Sequence, residues 1–581
     1  MHIFYKIYYY FCTKSPPYFN TGHKSIENMA NERSFTGLYE NSFKNNWERA
    51  ALTDYRSGTL KYKELAAQIA RLHIFYKDCG IKKGDKISIC GKNCSNWGVA
   101  FLSVFTYGAV AVPILNDFKE DNIHHIVNDS DSRMLFVGAS NLSKLTAEEM
   151  PNLECILKLE DFSLHTSRSN TITAAHSELE EKFTATYPAG FTPDDISYHK
   201  DSPNELAIIN YTSGTSGFSK GVLIPYRALY SNMEFAINAV PLMPGDNVLS
   251  ILPMAHMYGM SFEFLYELTR GVQVFFLTRT PSPRVIFDAL SKVKPAIIVA
   301  VPLIIEKVIR KTIFPKLNKL PMRIATHTPI LGNLIYKKIC KQLIAAFGGN
   351  FKEIIIGGAA FSPDIDRFLH KIKFPYTVGY GATECAPIIC YSDWKEAKVG
   401  SCGKPVVNME IKITSNNPTK EAGEILCRGE NVMLGYYKNP TATAEALDAE
   451  GWYHTGDLGI FDKEGFLYIK GRCKSMLLGA NGQNIYPEEI EARLNNQPYV
   501  AESLVIQEGE KLIGLVYPDY DSIKKAGYDT NTLATLMEQN RTELNNQLPA
   551  YSHISSIRIQ EKEFEKTPKK SIKRYLYQST K

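Results

Sequence analysis

No C-x-x-C pair and no histidine cluster at zinc spacing occurs in this 581-residue chain, although it holds eleven cysteines. A zinc ribbon and a disulfide framework are thereby excluded, and the odd, scattered thiols suit a reducing cytosol in which cysteine serves as a small core residue. No apolar run approaches the roughly 18–20 residues that span a bilayer. The nearest, AIIVAVPLII, is ten residues long and is broken by Pro302. Net charge is only +5, too weak over this length to argue for nucleic acid. Also missing is the G-x-x-x-x-G-K-[ST] loop of kinases and ATPases. In TSGTSGFSKG, counting from Gly214 puts Ser219 at the second glycine position, and Lys220 runs into GVLI, a strand-like segment rather than a helix.

What is present is an ordinary globular composition, 44% hydrophobic and 22% charged. The length calls for two or more domains. Short buried-strand candidates (GDKISIC, ELAIINY, NVLSILPM, GVQVFFL, PAIIVAVP, FKEIIIGG) alternate with helical stretches such as KYKELAAQIARLHIFYKD. That alternation predicts an α/β fold, a large multi-layer N-terminal domain with mostly parallel sheets. After about Asn408 the segments shorten into hairpin-like pairs, predicting a small antiparallel β subdomain. Lys474–Pro487 reads as a linker, and the last hundred residues as a small mobile α+β domain. The expected division is 29–473 and 474–581. Residues 1–28 carry an aromatic run and a Pro/Ser/Asn stretch without a small-residue cleavage site, and are expected to be a disordered extension. One charge run stands out: Lys311, Lys316, Lys319, Arg323, Lys337, Lys338 and Lys341 occur between 311 and 350 with no acid among them. Interleaved with Ile, Leu, Phe and Pro, it reads as a face for anionic lipid or an anionic cofactor, or as the solvated side of a helix pair.

Chemistry concentrates where predicted strands end. In NYTSGTSGFSKG, Thr212, Ser213, Thr215 and Ser216 supply hydroxyls. Gly214, Gly217 and Gly221 let backbone approach a ligand, and Lys220 adds one cation. A phosphate chain wants this mixture. In LPMAHMYGM, His256 follows a strand. The GGAA of Gly357–Ala360 offers backbone against which a flat ring can lie. VGYGATECAP contains Thr383, a phosphate donor, and Glu384, a hard oxygen ligand for magnesium. In GWYHTGDLG, Asp457 suits a ribose diol. Each alone has a bland reading as a tight turn, a packed histidine or a hairpin aspartate.

In order, TSGTSGFSKG, LPMAHMYG, GGAA, GYGATE, GWYHTGD, YIKGRCKSMLLGANGQNIYPEEIE and KTPKKSIKR resemble the adenylate-forming superfamily, which includes acyl-CoA synthetases, peptide-synthetase adenylation domains and firefly luciferase. The resemblance runs from about Ser34 to Tyr577. AHMYG, VPLIIEKVIRK and NGQNIYPEEIE are most similar to long-chain fatty acid–CoA ligases. It implies a ligase that uses ATP and Mg2+ to activate a fatty acid as an acyl-adenylate, then passes the acyl group to CoA. By the same resemblance, Thr215, Ser216 and Lys220 would hold the β and γ phosphates, within a loop that also includes Thr212, Ser213, Gly214 and Gly217. Thr383 would contact the α-phosphate and Glu384 the metal. Asp457 and Arg472 would grip the ribose; Gly358 and Tyr380, followed by Gly381, would bracket adenine. His256 would sit beside the acyl group, Lys474 would be the hinge, and Gly482 would line the pantetheine route. The implied setting is cytoplasmic, with peripheral contact at the inner face of the membrane and no transmembrane segment. The implied partners are the small molecules alone, without nucleic acid.

Two departures from the family pattern stand out. Ser219 occupies a usual proline, which loosens the loop without removing a donor. The tail motif usually ends Gly-Lys-Ile-x-Arg, and aligning Ile572 and Arg574 puts Ser571 where the lysine belongs. Lys570, adjacent to it, ranks first as the substitute cation, ahead of Lys573; Lys569 is also near. Two alternatives follow: an acyl-adenylate ligase that loads a carrier protein, and a non-catalytic binder of fatty acid or nucleotide.

Overall fold

A computed structural model describes residues 33–212, 219–279, 282–478, 484–509, 511–566 and 572–577. The extension expected at 1–28 lies outside them. At the centre is an eight-stranded mixed sheet. Its middle is parallel: Leu206–Thr212, Val110–Leu115, Lys86–Gly91, Ser132–Val137 and Cys155–Lys158 lie side by side in that order. Antiparallel strands close both edges, Lys220–Pro225 with Gly435–Tyr436 on one side and Leu164–Ser167 on the other.

The helix Ser95–Tyr107 (SNWGVAFLSVFTY) has no polar face, as expected of a helix covered on all sides. Trp97, Phe101 and Phe105 recur at i, i+4 and stack in sequence, with ring centroids 5.4 and 5.7 Å apart. Phe264 meets Trp97 and Phe101 edge-on from a neighbouring element. A second sheet (Asn247–Ser250, Gln273–Phe276, Ala50–Asp54, Thr59–Lys61) and a third, all parallel (Ile298–Ala300, Ile354–Ile356, Tyr376–Val378), complete the α/β body. The expected antiparallel subdomain is the sheet Met409–Ile413, Gly423–Gly429, Tyr453–Phe461, Leu467–Arg472.

The C-terminal part builds its own core. Val500–Glu508 and Lys511–Pro518 pair antiparallel, Ile554–Ile559 adds in parallel, and helices Pro487–Leu494 and Thr530–Asn546 cover them through Ile490, Leu494, Leu533 and Met537. Polar contacts reach across to the larger part: Lys470–Glu489 at 3.0 Å, and Asn496 against Arg310 and Ser362. Polar contacts of this kind permit relative motion of two parts. The segment read as a linker is more structured than expected. It begins with a turn at Cys473–Ser475, and Leu477–Leu478 pairs with Asn484–Ile485.

Two carboxylates sit inside the large core. Glu263, in a wide helical turn at Ser261–Leu265, accepts the Ile251 and Leu252 amides at 3.0 and 2.9 Å. Glu267 is fully buried, and neither of its oxygens has a hydrogen-bond partner among the described residues. Burial pushes its carboxyl from 4.5 up to about 8. A folded state that holds this proton, while the unfolded chain releases it near its ordinary value, loses stability as pH rises between those two values. Buried His73, pushed down to about 4, has the opposite sign and acts only below its ordinary 6.5. Melting temperature is therefore expected to fall between pH 6.5 and about 8, by more in the wild type than in Glu267→Gln. Parallel pH profiles of the two proteins would contradict this assignment.

Candidate active site

Four chemistry-bearing segments leave the carboxyl ends of strands, where ligands of such sheets collect. NYTSGTSGFSKG turns at the end of Leu206–Thr212, LPMAHMYG follows Asn247–Ser250, GGAA follows Ile354–Ile356, and GYGATE follows Tyr376–Val378. The first is a hairpin: Thr212 pairs with Lys220, fixing both ends of the loop. Ser213, Gly214, Thr215, Ser216 and Gly217 lie outside the described residues, as do Gly482 and Lys570.

From Lys220 a chain of contacts leads inward. Its ammonium stands 5.1 Å from the centre of the Tyr436 ring, a cation–π distance. The Tyr436 hydroxyl donates to Glu384 Oε1 at 3.0 Å. Glu384 sits in the tight turn Thr383–Cys385, and its carbonyl accepts the Met433 amide at 2.8 Å. Glu384 is near enough to Asp457 to help raise the latter's pKa, although burial is the larger cause and Arg472 opposes both. Asp457 and Arg472 are register partners on neighbouring strands. Arg472 Nε lies 3.1 Å from Asp457 Oδ1, and the Tyr380 hydroxyl donates to Oδ2 at 2.7 Å. Asp457 thus lies within a strand, paired and buried, rather than at a hairpin turn.

A pocket partly open to solvent lies beside this group. It is lined in part by His256, Gly358, Tyr380, Gly381 and Thr383, so five residues from three motifs share one pocket. The rest of the lining, including Phe235, Val240, Phe262 and Ile297, is mostly apolar. His256 is the N-cap of Met257–Met260, and its ring accepts the Tyr258 amide at 3.4 Å. Gly259 is required there, since a Cβ would come within 2.9 Å of Leu252 Cβ and the Pro253 carbonyl. The Tyr258 ring fills the space that a side chain at Gly357 would need, 3.2 Å away, and its hydroxyl donates to the Ile355 carbonyl. Gly358 is at φ +83°, a conformation costly for other residues. Lys474 follows Arg472 by two positions and is exposed in the turn Cys473–Ser475.

Tyr436 and Tyr258 were not singled out in the sequence. Tyr436 lies on a two-residue edge strand too short to show any periodicity, and Tyr258 sits inside a motif in which the histidine draws attention. Among the described residues, no three His, Cys, Asp or Glu side chains form a metal cage. One carboxylate oxygen donor, Glu384, beside a phosphate-type loop fits magnesium, which is commonly held by one or two carboxylates together with substrate phosphates.

At the tail, Lys573 lies 3.6 Å from Glu565, while Arg574 binds Glu491 at 2.7 Å and the Val505 carbonyl at 3.0 Å. Lys566 bridges to Ile572 in an isolated pair and its ammonium meets Glu502 at 2.6 Å.

Comparison with known proteins agrees with this geometry. Among solved structures, the anthranilate CoA ligase AuaEII in complex with anthranoyl-AMP shares the fold, with a TM-score of 0.75 at 18% identity over 94% of this chain and 96% of that one. ATP-bound MatB from Rhodopseudomonas palustris gives 0.73 at 20% identity, over 93% and 98%. The long-chain-fatty-acid–CoA ligase FadD15 of Mycobacterium bovis is 27% identical over 537 residues, 85% of each chain. The chloroplastic long-chain-fatty-acid–[acyl-carrier-protein] ligase AEE15 of Arabidopsis thaliana is 26% identical over 577 residues, 86% of this chain and 79% of that one. The AMP-binding enzyme C-terminal domain matches residues 474–579, and the AMP-binding enzyme domain matches 39–437. Since the latter match alone takes in well over half of the sequence, this chain belongs to the AMP-binding enzyme family.

Proposed function

We propose that the protein activates a long-chain fatty acid with ATP and joins it to CoA, releasing AMP and pyrophosphate. The observation that carries this reading is the mostly apolar cavity whose lining includes Thr383, Tyr380 and Gly358, beside Glu384 and the Asp457–Arg472 pair. Hydrocarbon suits the apolar walls, and a carboxylate at the polar end reaches the place where an α-phosphate would rest. Its oxygen attacks the α-phosphorus, the bond to the β-phosphate oxygen breaks, and pyrophosphate departs. The thiol of CoA then attacks the acyl carbon and AMP leaves. Positioning and charge neutralisation supply most of the catalysis in phosphorus transfer. Lys220 and the hydroxyls of its loop hold the outer phosphates, Thr383 the α-phosphate, and Asp457 with Arg472 the ribose. Glu384 would hold magnesium, which would supply positive charge to neutralise the phosphates. Tyr436 orients Glu384 through its hydroxyl. The names of the curated relatives support the fatty acid. The setting we infer is the cytoplasm, with peripheral contact at the inner face of the membrane.

A second reading has a specific observation behind it: AEE15, nearly as similar as FadD15, is named for loading a carrier protein. Purified protein with ATP, magnesium and a panel of carboxylic acids, offered CoA or acyl carrier protein in turn, separates the two. AMP and acyl-CoA by mass spectrometry are expected with long-chain acids. Thioester on the carrier protein alone would replace the acceptor, and no AMP with any acid would overturn the reading.

The two half-reactions use the division proposed at Lys474, with 29–473 binding the nucleotide and 474–581 moving. Lys474→Pro is expected to spare acyl-adenylate formation and suppress thioester formation. Proline fixes φ near −65° and hinders a large dihedral change, and the first turn of a helix tolerates it. Equal losses in the two half-reactions would show that Lys474 is not the hinge.

A further inference from the structure

The acid-free basic run lies on helices that stand away from the sheets. After the strand Ile298–Ala300, the chain runs through Pro302–Val308, a wide turn at Ile309–Ile313, Phe314–Leu317, Leu320–His327 and Pro329–Ala346. No residue of Leu320–His327 is buried, and in the longer helix the apolar side chains pack against the core only from Tyr336 onward. The two helices meet closely at Gly332, where a Cβ would come within 2.7 Å of the Thr326 carbonyl.

Apolar side chains on this protrusion face outward. Six of the fifteen large hydrophobic residues exposed among the described residues fall between positions 303 and 334, with Leu320 at 70% and Ile330 at 80% exposure. Leu320 and Ile324 are one turn apart, as are Ile330 and Leu334. The second stripe continues along the same helix face into Lys337, Lys338 and Lys341, at helical spacing. None of the seven basic residues between 311 and 341 has an ion-pair partner among the described residues. Among the described residues, no helix is long and apolar enough to cross a membrane.

We infer that this helical hairpin docks the protein on an anionic lipid bilayer, with Leu320, Ile324, Ile330 and Leu334 entering the interface and the lysines and arginine meeting the headgroups. Apolar side chains beside a basic stripe are what an interfacial helix needs. A protein partner is a poorer match. Lysine is depleted in protein interfaces, whereas at a membrane surface its stem lies along apolar surface and its ammonium reaches the headgroups. The location adds meaning. The chain that leads to the hairpin starts beside the cavity, since Val301 lies 3.8 Å from where a side chain at the lining residue Gly358 would be. This deepens the proposed function and rests on it only for the purpose of docking, namely to meet a substrate that partitions into lipid.

The test is sedimentation of the full-length protein with vesicles of phosphatidylcholine alone, or of phosphatidylcholine and phosphatidylglycerol in equal parts. Binding to the mixed vesicles only, weakened by salt, is expected. Lys337→Glu/Lys338→Glu/Lys341→Glu should weaken it by about 10²-fold or more, and Leu320→Ser/Ile330→Ser should weaken it as well. All these positions are exposed, so both variants should keep the wild-type melting temperature and AMP release with a detergent-dispersed acid. No vesicle binding by the wild type, equal binding by both variants, or capture of an acidic protein without lipid binding would overturn the proposal. Vesicle binding needs no turnover, so a protein that binds vesicles yet forms no acyl-adenylate would refute the ligase reading alone.

Discussion

Replacing Glu384 with glutamine is expected to lower pyrophosphate release by about 10²–10³-fold, the usual cost of removing one electrostatic element from such a site. The fold should survive. Glutamine keeps the length of the side chain and an acceptor oxygen, so the Tyr436 hydroxyl retains its partner and the turn at Thr383–Cys385 its geometry. What is lost is the charge proposed to hold magnesium. The measurement is pyrophosphate release by a protein whose melting temperature matches the wild type. Near wild-type release would remove Glu384 from the metal site, and a folded protein that still binds nucleotide without turnover would support it.

Removing the tail cation should be almost as severe. A fatty carboxylate approaching a triphosphate meets like-charge repulsion, and the lysine that usually relieves it is Ser571 here. A long lysine stem carrying a point charge can reach from a neighbouring position. The flanks of this segment are held: Lys566 is tied to Glu502 and bridged to Ile572, and Arg574 is tied to Glu491. Lys573 is drawn toward Glu565. Lys570 therefore remains the first choice. Lys570→Ala is expected to reduce adenylation by about 10²-fold or more while largely preserving CoA transfer from preformed acyl-adenylate. Full adenylation by the single alanine variants of Lys569, Lys570 and Lys573 would mean that the cation comes from elsewhere.

How far the sequence could be read depended on the range of the interaction. Strands such as Leu206–Thr212 and Ile354–Ile356 announce themselves by branched apolar runs, and the glycine-rich segments that follow them mark their carboxyl ends. The Asp457–Arg472 pair follows from a local hairpin, its partners fifteen positions apart in sequence. Tyr436 is different. It reaches Glu384 because Gly435–Tyr436 pairs with Val222–Leu223, more than two hundred residues earlier, and nothing local encodes that pairing. The helical hairpin after Pro302 shows the same limit in another form. Its spacing reads as an amphipathic helix packed on a core, but the apolar stripe of its outer turns points away from one. Periodicity reports that a helix has two faces and says nothing about which is covered.

Lys220 opens a strand, and that decides where the positive charge at the loop can come from. In a loop that runs into a helix, the aligned peptide dipoles place about half a positive charge, with free amide hydrogens, at the turn. Here the next helix, Tyr226–Ala239, begins only after Pro225, at the opposite end of the hairpin from the loop. Its macrodipole is therefore aimed elsewhere. A triphosphate bound at this turn, as proposed, would be neutralised by side chains and dissolved cations rather than by the backbone of that helix. Such charge would be supplied from solution in part, so nucleotide held here should answer to ionic strength and chelation more directly than nucleotide seated on a helix end.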